Sequence, residues 1–123
     1  MGSHRHYLVA FACVAFFAIK AAAADPNPKE EKTFPLQAWM KANTAAAIAA
    51  KDPLALASAF DELATFGSKE YPNWSSIARD GAAAARANRI DAAKAACRGC
   101  HAQYRARYKI EMRDRPIPPP PED

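Results

Sequence analysis

The residues that can carry chemistry in this 123-residue chain cluster near its C-terminal end, in Cys97-Arg98-Gly99-Cys100-His101. Two thiols three positions apart, followed at once by an imidazole, form C-x-x-C-H, the attachment signature of c-type haem. The spacing has a direct chemical reason. The thiols add to the two vinyl groups along one edge of the porphyrin and become thioethers. The next residue then lies under the ring with its imidazole aimed at iron. Covalent anchoring lets a small domain hold the group without a deep pocket. Cys97 and Cys100 are the expected anchors of one haem c, and His101 is its expected proximal iron ligand.

Other uses of the same residues fit less well. A thioredoxin-like dithiol sits at a strand-to-helix junction of a βαβ unit, and that context is missing here. A structural zinc site takes four ligands, whereas only two cysteines and one histidine remain after residue 24. A plain Cys97–Cys100 disulfide in a haem-free secreted helical protein stays open as an alternative.

The function of a haem protein depends on the second axial position. No other histidine follows residue 24, so bis-histidine ligation within the chain is excluded. Met112 lies on the same stretch as His101, roughly 16 Å further along a helix axis at 1.5 Å per residue, and cannot reach the opposite face. Met40 is the remaining candidate, on a helical face shared with Leu36, Thr44 and Ala47. The pattern alone leaves it open between ligand and core filler, the commonest use of methionine. As a ligand it closes a low-spin, six-coordinate iron and suits electron transfer. As a filler it leaves a five-coordinate iron open to small gases such as NO or CO.

These residues need helices to hold them, and the composition supplies little else. There are 31 alanines, and no valine follows Val14. Alanine is the best helix former, while sheets favour β-branched residues, so sandwiches, barrels and parallel sheets are excluded. Four glycines and a 50% hydrophobic share exclude collagen-like and disordered classes. One small all-α domain is expected.

Residues 1–24 read as a cleaved secretory signal peptide. Arg5 and the polar His4 and His6 precede an apolar run from Tyr7 to Ile19, which closes on Ala21 to Ala24. The run is well short of the roughly 20 residues that a membrane span needs, and a twin-arginine pair is lacking. A Sec-type route to the periplasm follows, with no stable membrane insertion once the leader is gone. Cys13 leaves with it.

Residues 25–33 are polar and expected to be a flexible segment. Thr33 is the expected cap of a first helix running to about Ala50, with Pro35 in its first turn. Asp52-Pro53 opens a second helix with the stripe Leu56, Phe60 and Leu63, stopped by Gly67. Asn73 caps a third helix, Trp74 to about Ala87, with Asn88 as its left-handed stop. Asp91 caps a fourth, running to about Arg113. The prolines after Arg115 forbid helix, so residues 114–123 form a Pro-rich extended tail. Four helices with short connections predict an antiparallel up-down-up-down four-helix bundle over residues 34–113. Its helices are alanine-faced and carry few large apolar residues, which leaves room for a covalently bound haem.

The segment from Ala95 to Arg105 resembles the haem segment of class II cytochromes c, the cytochrome c′ family. There the motif lies on the last helix, with an aromatic three residues after the histidine and a basic residue four after it, as Tyr104 and Arg105 stand here. Trp39-Met40-Lys41-Ala42-Asn43 is similar to the low-spin branch, in which a helix-1 methionine ligates iron. The resemblance covers residues 34–112. It implies a monohaem one-electron carrier rather than an enzyme, with Met40 as distal ligand, and it admits a homodimer. This chain is shorter than typical members between its second and third helices.

Arg105 follows His101 by one turn and is a candidate haem contact, as a screen or a propionate partner. Arg79, Arg86 and Arg89 are weaker propionate candidates. Gly81, in mid-helix, is expected where the third helix approaches the haem. Tyr104 and Tyr108 are expected to pack with hydroxyls at the edge. Residues 94–115 hold seven basic side chains against two acidic ones. For an exported haem protein this basic face points to an acidic redox partner, and not to nucleic acid.

Overall fold

The computed structural model describes residues 32–121. The expectations for the leader, 1–24, and for residues 25–31 fall outside that range. The described residues are helical with no strand, which bears out the all-α class. Four helical segments follow in order: α1 over residues 35–49, α2 over Pro53–Ala64, α3 over Trp74–Arg86 and α4 over residues 90–111. None of them is long and apolar enough to cross a membrane.

Local chemistry explains where each begins and ends. Pro35 occupies the first position of α1, where its missing N–H costs nothing. A proline forces the residue before it into extended backbone, and Phe34 has φ −94° and ψ 143°. Phe34 therefore stands at the N-cap, without a side-chain bond, and the expected cap by Thr33 does not form. Asp52 caps α2 as expected, its Oδ1 accepting from the N–H groups of Leu54 (3.1 Å) and Ala55 (3.0 Å).

Two left-handed residues close helices. Asn88 (φ 55°) ends α3 as anticipated, and Lys51 (φ 53°) ends α1 without a sequence signal. Each sits in a Schellman arrangement: Asp52 N–H reaches Ala47 O (3.0 Å) and Arg89 N–H reaches Ala84 O (2.9 Å).

Two expected boundaries are corrected. Gly67 does not stop α2, which ends at Ala64, and no described glycine has positive φ. The terminal carbonyls of α2 are instead taken by α3: Trp74 Nε1 donates to Leu63 O (2.8 Å) and Ser75 Oγ to Ala64 O (2.6 Å). With those acceptors satisfied, the helix end needs no glycine turn. Asp91 does not cap α4, which starts at Ile90 behind Arg89. Asp91 lies within the first turn, where a carboxylate still suits the positive end of the helix dipole.

Helix α3 packs against both α2 and α4, and α1 packs against α2. The core is alanine-rich, and its largest fully buried side chains are Tyr71, Phe60 and Leu56. Gly81 serves helix packing: a Cβ there would lie 2.6 Å from Phe60 Cε1, so the residue admits the Phe60 ring. The neighbour that Gly81 accommodates is thus Phe60 of α2.

An aromatic cluster ties the connection before α3 to α4. Tyr71 and Tyr104 meet edge-on at 5.0 Å, and Trp74 and Tyr108 meet at a tilt, 5.7 Å apart. Tyr104 is buried, with its Oη accepting from Asn73 N–H (3.0 Å). The Tyr108 hydroxyl is not at the edge as expected: it is buried without a hydrogen-bond partner. The tail beyond α4 is non-helical, and it is held to the body by Arg115, which donates to Phe66 O (3.1 Å), and by Ile117 against the core.

Both α1 and α4 widen once into a π turn, over Lys41–Ala45 in α1 and His101–Arg105 in α4. Such turns are rare and frequently lie at functional sites. Here they begin just after Met40 and at His101.

Candidate functional site

Helix geometry puts residues three and four apart on one face, so Cys97, Cys100 and His101 form a single patch on α4. The patch opens on an apolar cleft of about 260 Å³. Cys97, Cys100 and His101 line it from α4, Met40 and Thr44 from α1, Phe60 from α2, and Trp74 and Ile77 from α3. The structure thus brings to one cavity four of the five residues expected to contact or ligate the haem: the two thiols, the imidazole and the thioether, but not Arg105. Lys41, Ala45 and His101 are solvent-exposed, which sets them at the open side.

Both cysteines are free and half-buried. Burial raises their thiol pKa values, against smaller opposing effects of a backbone hydrogen bond and Arg98 at Cys97. A dithiol built for exchange has a lowered pKa, and the shift here is in the opposite direction. The His101 imidazole has its pKa lowered, first by partial burial and then by the cation of Arg105. Both effects favour the neutral ring, the form that ligates metal.

Arg105 itself is exposed and does not line the cleft. Its reach to the site is electrostatic, through His101. Arg86 pairs with Asp61 at the surface, and Arg79 and Arg89 are exposed. The basic face of α4 is divided by the fold. Arg107 pairs with Glu111 and lies over the Tyr71 ring, Arg113 lies over Phe34, and Arg115 bonds Phe66 O. Arg98 and Arg105 remain as exposed cations near the cleft, joined by Lys41 on α1, which lay outside the expected basic stretch.

Trp74 and Phe60 were expected only as core. Their second face, toward the cleft, has no sequence signal, because it depends on how α2 and α3 meet α1 and α4. Among the described residues, no group of three or more His, Cys, Asp or Glu side chains is gathered to hold a bare metal ion. What the cleft offers instead is two thiols, apolar walls, and one nitrogen and one thioether sulfur donor, a set compatible with a large apolar group.

No protein-family model matches the chain, and neither a curated protein nor a solved structure matches it.

Proposed function

We propose that the chain is a periplasmic monohaem c-type cytochrome of the class II kind, acting as a one-electron carrier. The observation that carries this reading is the convergence of Met40, Cys97, Cys100 and His101 on one apolar cleft. Haem c, when bound, supplies a one-electron ferric/ferrous couple. The chain's own residues do the rest. Cys97 and Cys100 anchor the group as thioethers on α4. His101, its pKa lowered by partial burial and by Arg105, serves as proximal ligand, while Met40 supplies the second donor from α1. Phe60, Trp74 and Ile77 exclude water, which tunes the potential through burial. The short connections 50–52 and 87–89 support antiparallel neighbours and an up-down-up-down bundle.

Export in residues 1–24 supplies the compartment in which covalent haem is attached. Lys41, Arg98 and Arg105 near the cleft favour a redox partner with an acidic docking face.

The test is spectroscopic. The chain is expressed with a cytochrome c maturation system, and oxidised and reduced spectra are recorded with and without carbon monoxide. Covalent haem with a low-spin reduced spectrum indifferent to carbon monoxide is expected. Met40→Ala should open the iron and allow rapid carbon monoxide binding. Rapid binding by the unaltered protein would replace this reading with a five-coordinate gas-binding cytochrome c′. Absence of covalent haem, beside a control cytochrome that matures, would overturn it in favour of a haem-free helical protein with a Cys97–Cys100 disulfide.

A further inference from the structure

We infer that Asn43 and Thr44 are positioning residues that hold the π turn of α1 open and so set Met40 toward the cleft. The inference rests on the reading of Met40 as the distal ligand and adds what keeps it in place.

A π turn shifts backbone pairing from the fourth to the fifth residue along. The carbonyls beside a widened turn can then take side-chain donors. In α1 the two carbonyls just ahead of the turn do so. Asn43 Nδ2 donates to Trp39 O (2.8 Å), and Thr44 Oγ1 donates to Met40 O (2.8 Å). The two bonds stand side by side across the start of the Lys41–Ala45 turn. Asparagine and threonine are poor helix formers because they compete for backbone groups in this way. An adjacent pair of them stands at 43–44 in this alanine-rich helix, inside its widened turn.

Thr44 adds a second effect. It is buried and lines the cleft. Its hydroxyl is consumed by the Met40 carbonyl, so the wall beside Met40 stays apolar despite a polar residue. The π turn of α4 is braced differently, through Tyr104 within it, whose Oη accepts from Asn73 N–H at the start of α3. The widened turn after Met40 and the one that begins at His101 thus each have their own hydrogen-bonded brace.

The experiment uses the haem-loaded protein and its Thr44→Val, Asn43→Ala, Thr44→Ser and Met40→Ala variants. Three quantities are read: the methionine–iron charge-transfer band of the ferric form, the rate of carbon monoxide association with the ferrous form, and the far-ultraviolet circular dichroism. Loss of one net hydrogen bond corresponds to a shift of roughly fivefold in a two-state ratio. Thr44→Val and Asn43→Ala are each expected to weaken the band and speed carbon monoxide association by about that factor, with helicity retained. Thr44→Ser keeps the donor and should behave as the parent. The inference is overturned if Met40→Ala abolishes the band while Asn43→Ala and Thr44→Val leave band and association rate unchanged. If Met40→Ala itself changes neither, the ligation reading fails and takes this inference with it. Asn43 is half-buried, so its alanine variant is expected to fold even if Thr44→Val is lost.

Discussion

At the scale of single residues, two tyrosines one turn apart on α4 have opposite hydrogen-bond states and should respond oppositely to loss of the hydroxyl. Tyr108 buries an unpartnered Oη, whereas the Tyr104 Oη satisfies Asn73 N–H. Removing an unsatisfied buried hydroxyl relieves a desolvation penalty, while removing a partner leaves the other group orphaned. Tyr108→Phe should raise unfolding free energy by roughly 1 kcal/mol, and Tyr104→Phe should lower it by about the same amount, measured by urea denaturation. Glu111 controls part of the acid stability. Its side chain accepts from Arg107 Nε and from Tyr71 Oη, and these bonds hold its carboxyl below the usual range. A carboxylate with a depressed folded pKa adds stability that is fully present above its unfolded pKa of about 4.3. That stability is lost as pH falls through the lower folded value. Urea midpoints should therefore drop as pH falls below the unfolded value, and Glu111→Gln should flatten that limb while leaving neutral pH nearly unchanged.

At the scale of elements, the meeting of α2 and α3 is set by one missing methyl group. Alanine in place of a mid-helix glycine gains about 1 kcal/mol of helix propensity. At Gly81 the added Cβ would lie 2.6–2.8 Å from three atoms of the Phe60 ring, and overpacking of that kind costs about 1–3 kcal/mol. Gly81→Ala should be net destabilising in urea denaturation. In a Phe60→Leu background the same change should turn neutral or stabilising, a double-mutant coupling that identifies the contact. Phe60 also lines the cleft, so this contact links helix packing to the shape of the site. The helix ends show the same dependence. Asp52-Pro53 and Asn88 were legible because capping and left-handed stops are local chemistry. The end of α2 was not, because Leu63 and Ala64 carbonyls are satisfied from Trp74 and Ser75, residues of another helix.

At the scale of the whole molecule, a formal charge of +4 is spread over the chain, but the fold decides which cations act beside the cleft. Arg107, Arg113 and Arg115 are engaged in packing contacts, and Lys41, Arg98 and Arg105 are left exposed near it. Long-range attraction to a charged reagent is screened over about 8 Å at physiological salt. Oxidation of the reduced protein by anionic ferricyanide should slow as salt rises, and oxidation by a cationic cobalt complex should speed up. Lys41→Glu with Arg98→Glu should reduce the ferricyanide rate at low salt by about tenfold, within the range of electrostatic steering. The effect should fade at high salt. Equal salt slopes for the two oxidants would remove the basic docking face from the proposed function.

The amino-acid sequence by itself determined the helical class, through alanine excess and scarcity of β-branched residues, because propensity is a property of each residue. It determined Cys97, Cys100 and His101 as one chemical unit, because a C-x-x-C-H spacing on a helix is local geometry. It left Met40 between two roles, since a methionine facing inward reads the same whether it packs or ligates. Only the tertiary structure brought Met40 from α1 to the cleft that holds the α4 motif. It also turned Tyr71 from a connection residue into the buried centre of an aromatic cluster. The reason is common to both: each depends on contacts between segments distant in the chain, and helical periodicity within one segment carries no information about which neighbour it meets.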